Sequence, residues 1–106
     1  MIAGATKIDN LAVNSRMVYT NKMQSGSMRG FGVNVGQFAD QVHTEKLAKA
    51  VGMNPIEFRL KNSFKENDIN HVGNELQAVS AIETLKFVAE MAGEEISEEY
   101  KNMSSK

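Results

Sequence analysis

The run Gln24-Ser25-Gly26-Ser27-Met28-Arg29-Gly30-Phe31-Gly32 sets one cation and one aromatic ring between glycines, directly ahead of a segment patterned as a helix. Such a helix start carries unpaired N–H groups and the positive end of the dipole, so it favours an anion. The glycines allow backbone donors to come close to that anion. Phe31 has little local core between two glycines, so it is either pinned under a neighbouring element or presented to a flat ligand. Both readings stay open on composition alone. The spacing Gly30-x-Gly32-x-x-x-Gly36 is one residue too long for a dinucleotide fingerprint. It also lacks a strand leading straight into it and a second parallel strand after it.

Other chemistry is sparse. There is no Cys, which excludes disulfides, thiolate zinc, iron–sulfur ligation and a cysteine nucleophile. His43 falls on the apolar half of the first helix and His71 in a polar loop, and neither sits in a metal-ligand box. The acidic residues near the C-terminus lack calcium-loop spacing. A net charge of -1 gives no field for nucleic acid. No apolar run is long enough to span a membrane, and Met1-Ile2-Ala3-Gly4 lacks a signal-peptide core, which makes a cytoplasmic location the default expectation.

The elements that must position the loop read as follows. Over 8–21, Leu11, Val13, Met17 and Tyr19 alternate with Asn10, Asn14, Arg16 and Thr20, the period of a half-buried strand with no partner in this sequence. Residues 22–34 form the glycine loop. A first helix is expected at 35–51, with Val35, Phe38, Ala39, Val42, Leu47 and Ala50 on its apolar half. Gly52-Met53-Asn54-Pro55 reads as a helix stop followed by a cap and a proline start, giving a second helix at 55–63 with Glu57 and Lys61 paired outside. Ser80-Ala81-Ile82-Glu83 reads as a capping box for a third helix at 81–92, after a loop over 65–79. Residues 94–106 read as a polar, solvated tail. The 106 residues thus read as a single partial domain of α+β class, underfilled in β structure.

Thr20-Asn21, Arg29-Gly30-Phe31-Gly32, Phe38-Ala39, Leu47-Ala48, Gly52-Met53-Asn54-Pro55, Glu57-Phe58-Arg59, Lys61-Asn62 and Asp68 occur in an order and spacing that resemble a known family. It is the molybdenum-binding large subunit of the xanthine dehydrogenase and aldehyde oxidase family, and the resemblance covers about Ile8 to Gly93. The resemblance implies hydroxylation of an aromatic heterocycle or an aldehyde at a molybdenum–pterin cofactor, with electrons leaving through partner iron–sulfur and flavin modules. It places Met28, Arg29 and Gly30 against the cofactor and the Phe31 ring on the substrate plane. The sequence departs from the family at Val33-Asn34-Val35, where a small residue, Pro or Asn, and then Gln are usual, and at Gln41, often a carboxylate. The family's catalytic Glu belongs to a distant C-terminal motif that this sequence does not contain. The expectation is therefore a segment of a larger subunit, without catalysis or bound cofactor in isolation. The alternative is a small interaction module that self-associates through its unpaired strand.

Overall fold

The computed structural model describes residues 4–24, 26 and 28–106. Met1–Ala3, and Ser25 and Ser27 of the glycine loop, lie outside the described residues. Among the described residues four helices follow one another: α1 Val33–Ala50, α2 Pro55–Lys61, α3 Ala81–Ala92 and α4 Glu98–Lys101.

The junction between α1 and α2 forms through local chemistry. Met53 N–H donates to Ala48 O at 2.9 Å as α1 ends, and Asn54 Oδ1 then accepts from the Ile56 and Glu57 N–H groups at 2.8 and 3.4 Å. Pro55, which has no N–H to satisfy, fills the first helical position. Arg59 locks the two helices together. Its Nε donates to Gln41 Oε1 at 2.8 Å, and its terminal nitrogens donate to Gln41 O at 3.2 Å and Pro55 O at 2.9 Å. The neutral amide of Gln41 thus engages the guanidinium through its side-chain oxygen and its main-chain carbonyl.

The core is small: Leu60, Ile82, Ala89, Ile96 and Tyr100 are buried, with Met53, Ile56, Leu85 and Met103 packed around them. α2 touches each of the other three helices. Residues 94–106, expected as a solvated tail, contribute three of these side chains, because Ile96, Tyr100 and Met103 recur often enough to line one side of a segment whose other residues are polar. The cap of α3 also differs from expectation. Ser80 makes no side-chain cap bond, and Glu83 turns to the C-terminal segment. It accepts from Ser104 Oγ at 3.1 Å, from Ser105 N–H at 2.8 Å and from Ser105 Oγ. The fully buried Ser105 hydroxyl in turn accepts from Ile82 N–H at 3.4 Å. A serine far away in sequence supplies the bond that a local one was expected to make. Glu57 likewise accepts from Ser97 N–H at 2.8 Å rather than pairing with Lys61.

The N-terminal segment is fastened at Thr6 and Lys7. Thr6 forms an antiparallel bridge with Ser63, Lys7 N–H donates to Asn62 O at 2.7 Å, and the Lys7 ammonium pairs with Asp68. His71 Nε2 donates to Thr6 O at 3.1 Å while its ring packs on Phe64. Beyond Lys7 the chain runs exposed to Gln24 and makes no ladder among the described residues. Leu11, Val13, Met17 and Tyr19, expected as the buried side of a strand, all face solvent. A radius of gyration of 16.2 Å reflects this excursion, against about 13 Å for a compact domain of this length.

Candidate functional site

The loop before α1 is built by three successive left-handed residues: Gly30 at φ 88°, Phe31 at 50° and Gly32 at 90°. Only glycine takes such angles freely, so the two glycines make the reversal possible and Phe31 between them is strained. Two turn bonds close it, Phe31 N–H to Met28 O at 3.0 Å and Val33 N–H to Gly30 O at 2.9 Å. Gly32 then serves as N-cap of α1 with no side-chain cap bond.

This geometry leaves a row of donors. Among the described residues, the N–H groups of Arg29, Gly30, Gly32, Asn34 and Val35 find no backbone acceptor. Phe31 is 81% exposed, and Met28 and Arg29 are exposed beside it. Nothing lies within 4 Å of where a Cβ on Gly32 would stand, and on Gly30 it would meet Asn34 Oδ1 at 3.4 Å. The glycines are therefore required for their backbone angles, and the loop faces open space that a large anionic group could occupy. Met28, Arg29, Gly30 and Phe31 follow one another in this turn, with the first two and Phe31 exposed and Gly30 half-buried. It forms one wall only, and a groove of about 790 Å³ runs elsewhere, between residues 7–12 and 67–71. His43 is exposed and His71 is engaged as described. Among the described residues no three His, Asp or Glu side chains converge on a metal position, and no helix is long and apolar enough to cross a membrane.

The family described as molybdopterin cofactor-binding domain matches residues 1–63, which take in the loop, α1, α2 and the Thr6–Ser63 bridge. The chain belongs to the molybdopterin cofactor-binding family of xanthine dehydrogenases and aldehyde oxidases. Among its relatives is the nicotinate dehydrogenase large molybdopterin subunit of Eubacterium barkeri, 37% identical over 92 residues, which is 86% of this chain and 22% of that protein. The aldehyde oxidoreductase of Megalodesulfovibrio gigas is 33% identical over 79 residues, 74% of this chain and 9% of that protein. The xanthine dehydrogenase/oxidase of Mus musculus is 32% identical over 73 residues, 69% of this chain and 6% of that protein. The chain therefore spans about a fifth or less of the length of these relatives. Likeness to the nicotinate dehydrogenase subunit extends past residue 63, since 86% of the chain cannot fit within the family match.

The residues fit a molybdenum–pterin group in a limited sense. Backbone donors at a helix start and glycines with open space beside them suit a pyrophosphate-bearing pterin or the oxygens around a metal. The loop over 22–34 carries no His, Cys, Asp or Glu, so its part would be to cradle such a group. The carrying signal, Arg-Gly-Phe-Gly ahead of a helix, is visible in the sequence, whereas the strain at Phe31 and the bond of Arg59 to Gln41 are not.

Proposed function

We propose that this chain is the part of a molybdenum hydroxylase large subunit that lays one loop against the cofactor and the substrate, and that it is inactive alone. The observation that supports the reading is the Gly30-Phe31-Gly32 left-handed turn, which joins a strained, exposed ring to backbone donors that have no backbone acceptor among the described residues, in a chain of this family. When bound, the molybdenum centre supplies oxygen transfer from water to an electron-poor carbon and takes up the electrons released. Met28, Arg29 and Gly30 hold that group through their main chain. Phe31 orients a flat substrate, a heteroaromatic ring or an aldehyde, by lying on its face. Relatives named for nicotinate, xanthine and aldehydes support those two substrate classes. Iron–sulfur and flavin modules of the same enzyme would receive the electrons, and the working location would be the cytoplasm.

One loop offers a small part of the contacts that a cofactor of this size needs, and a general base is absent from it. The 106-residue chain should therefore carry no molybdenum after purification and give no substrate-dependent dye reduction, while the full-length subunit does both. Stoichiometric molybdenum with turnover in the short chain would sink the segment reading.

A further inference from the structure

The turn that carries Phe31 is held to the rest of the molecule from one side. Upstream of it, among the described residues, no hydrogen bond from residues 8–24 reaches beyond that stretch. Downstream the turn continues directly into α1, with Gly32 as N-cap, so it goes where the first turns of that helix go.

Those first turns are themselves lightly held. The buried residues of α1, Thr44 and Ala48, both lie in its second half, while Val35 and Phe38 in the first half are 75% and 73% exposed. Gln37 and Asp40 lie beside Gly4 without a hydrogen bond to it among the described residues. Going from the turn into the helix, Gln41 is the first residue of α1 whose hydrogen bonds reach another helix. Its side-chain and main-chain oxygens both accept from Arg59 on α2, at 2.8 and 3.2 Å. The half-buried Arg59 is braced in turn by its bond to Pro55 O at 2.9 Å.

A guanidinium that donates to two oxygens on one helix and to a third on its own helix fixes an orientation that a single hydrogen bond would leave loose. Gln41 stands about 12 Å along the helix from Val33, at about 1.5 Å per residue. A tilt of about 5° at that clamp carries the turn by about 1 Å, and a displacement of this size at a reacting centre costs on the order of 10²-fold in rate.

We infer that Arg59 is a positioning residue for the reaction at the cofactor loop. Through Gln41 it fixes the direction in which α1 presents Phe31 and the backbone donors, without touching cofactor or substrate itself. The inference rests on the molybdenum reading for its chemistry, while its geometry concerns the chain alone.

The sequence has no Cys, so Val35→Cys and Lys61→Cys, both at exposed positions, place one nitroxide label near the turn and one on α2. Dipolar electron resonance on the 106-residue chain should give one narrow distance distribution. Arg59→Ala should widen it at least about twofold and Arg59→Lys by less, with helical circular dichroism unchanged in both. In the full-length subunit Arg59→Ala should lower kcat for a flat aromatic substrate about tenfold or more at unchanged molybdenum content, and Arg59→Lys should restore part of the loss. Ser105→Ala, which removes a buried fastener elsewhere, should lower Tm as well yet leave kcat within about twofold. If Arg59→Ala does not fold, Arg59→Lys carries the same comparison. A distribution that stays narrow without the guanidinium, or a kcat that falls as far with Ser105→Ala as with the Arg59 variants, would overturn the inference. An unmodified full-length subunit that holds no molybdenum would overturn instead the reading on which it rests.

Discussion

Phe31 is held at φ 50° between two glycines and exposes most of its ring, a combination that costs backbone energy without gaining burial in this chain. Strain of this kind, roughly 1–2 kcal/mol, persists where something other than stability holds it. Phe31→Gly should therefore raise the stability of the chain by about 1 kcal/mol, and Phe31→Ala should change it by less than about 0.5 kcal/mol, as measured by denaturant unfolding. A loss of about 3–5 kcal/mol on Phe31→Ala, the usual cost for a core phenylalanine, would show that the ring is packed after all. In the full-length subunit the alanine variant should lower kcat/KM several-fold for flat aromatic substrates and less for small aliphatic aldehydes, because ring stacking contributes about 0.5–1.5 kcal/mol. The types and spacing of Arg29, Gly30, Phe31 and Gly32 are enough to single out this loop in the sequence. They do not show which way the ring points, since a side chain's exposure depends on everything that could pack over it.

Elements meet here through a few polar fasteners more than through a large core. Removing the guanidinium by Arg59→Ala breaks its bonds to Gln41 and Pro55 and should cost about 1–3 kcal/mol, a fall in Tm of about 5–15 °C. Gln41→Glu should instead add a modest, salt-sensitive gain of about 0.2–1 kcal/mol by pairing charge with charge. Glu83 fastens the C-terminal segment. Hydrogen bonds from Ser105 above all hold its carboxyl down at about 2, against 4.5 ordinarily. A depressed carboxyl stabilises the form that binds it above its unfolded pKa, and that contribution fades as pH falls from 4.5 towards 2. Docking of residues 96–105, followed by amide exchange at Tyr100 and Met103, should weaken through that window, and Glu83→Gln should reduce the pH dependence. If the tail stays docked at about pH 2 in the unmodified chain, Glu83 is not what holds it. The stop and start at Gly52-Met53-Asn54-Pro55 can be read from sequence because every partner lies within a few residues. The Glu83–Ser105 pairing cannot, because nothing local distinguishes a glutamate that caps its own helix from one that reaches to residue 105.

At the scale of the molecule, amphipathic periodicity locates the faces of α1 without saying what they meet. The stripe of Val35, Phe38 and Val42 looks in sequence like a core face, yet this chain turns Thr44 and Ala48 inward and leaves the stripe to solvent. The alternation over 8–21 has the same ambiguity, since a strand pattern becomes a strand only where a second strand can pair with it. Amide exchange from Leu11 to Tyr19 should accordingly be near the unprotected rate in monomeric protein while the α2 and α3 amides around Leu60 and Ile82 stay protected; strong protection at Leu11–Tyr19 would reveal a pairing that the fold does not show. The long excursion between the fastening at Lys7 and the turn at Gly30 also carries Arg16 and Lys22 out into water, both exposed and free of ion pairs among the described residues. Trypsin should find these bonds before any other, because a protease needs an extended, accessible backbone and helices deny it one. Brief digestion should release a helical product beginning at Met17 or Met23 that resists further cutting, so the polypeptide carries the site of its own first nick between its anchor and its candidate cofactor loop.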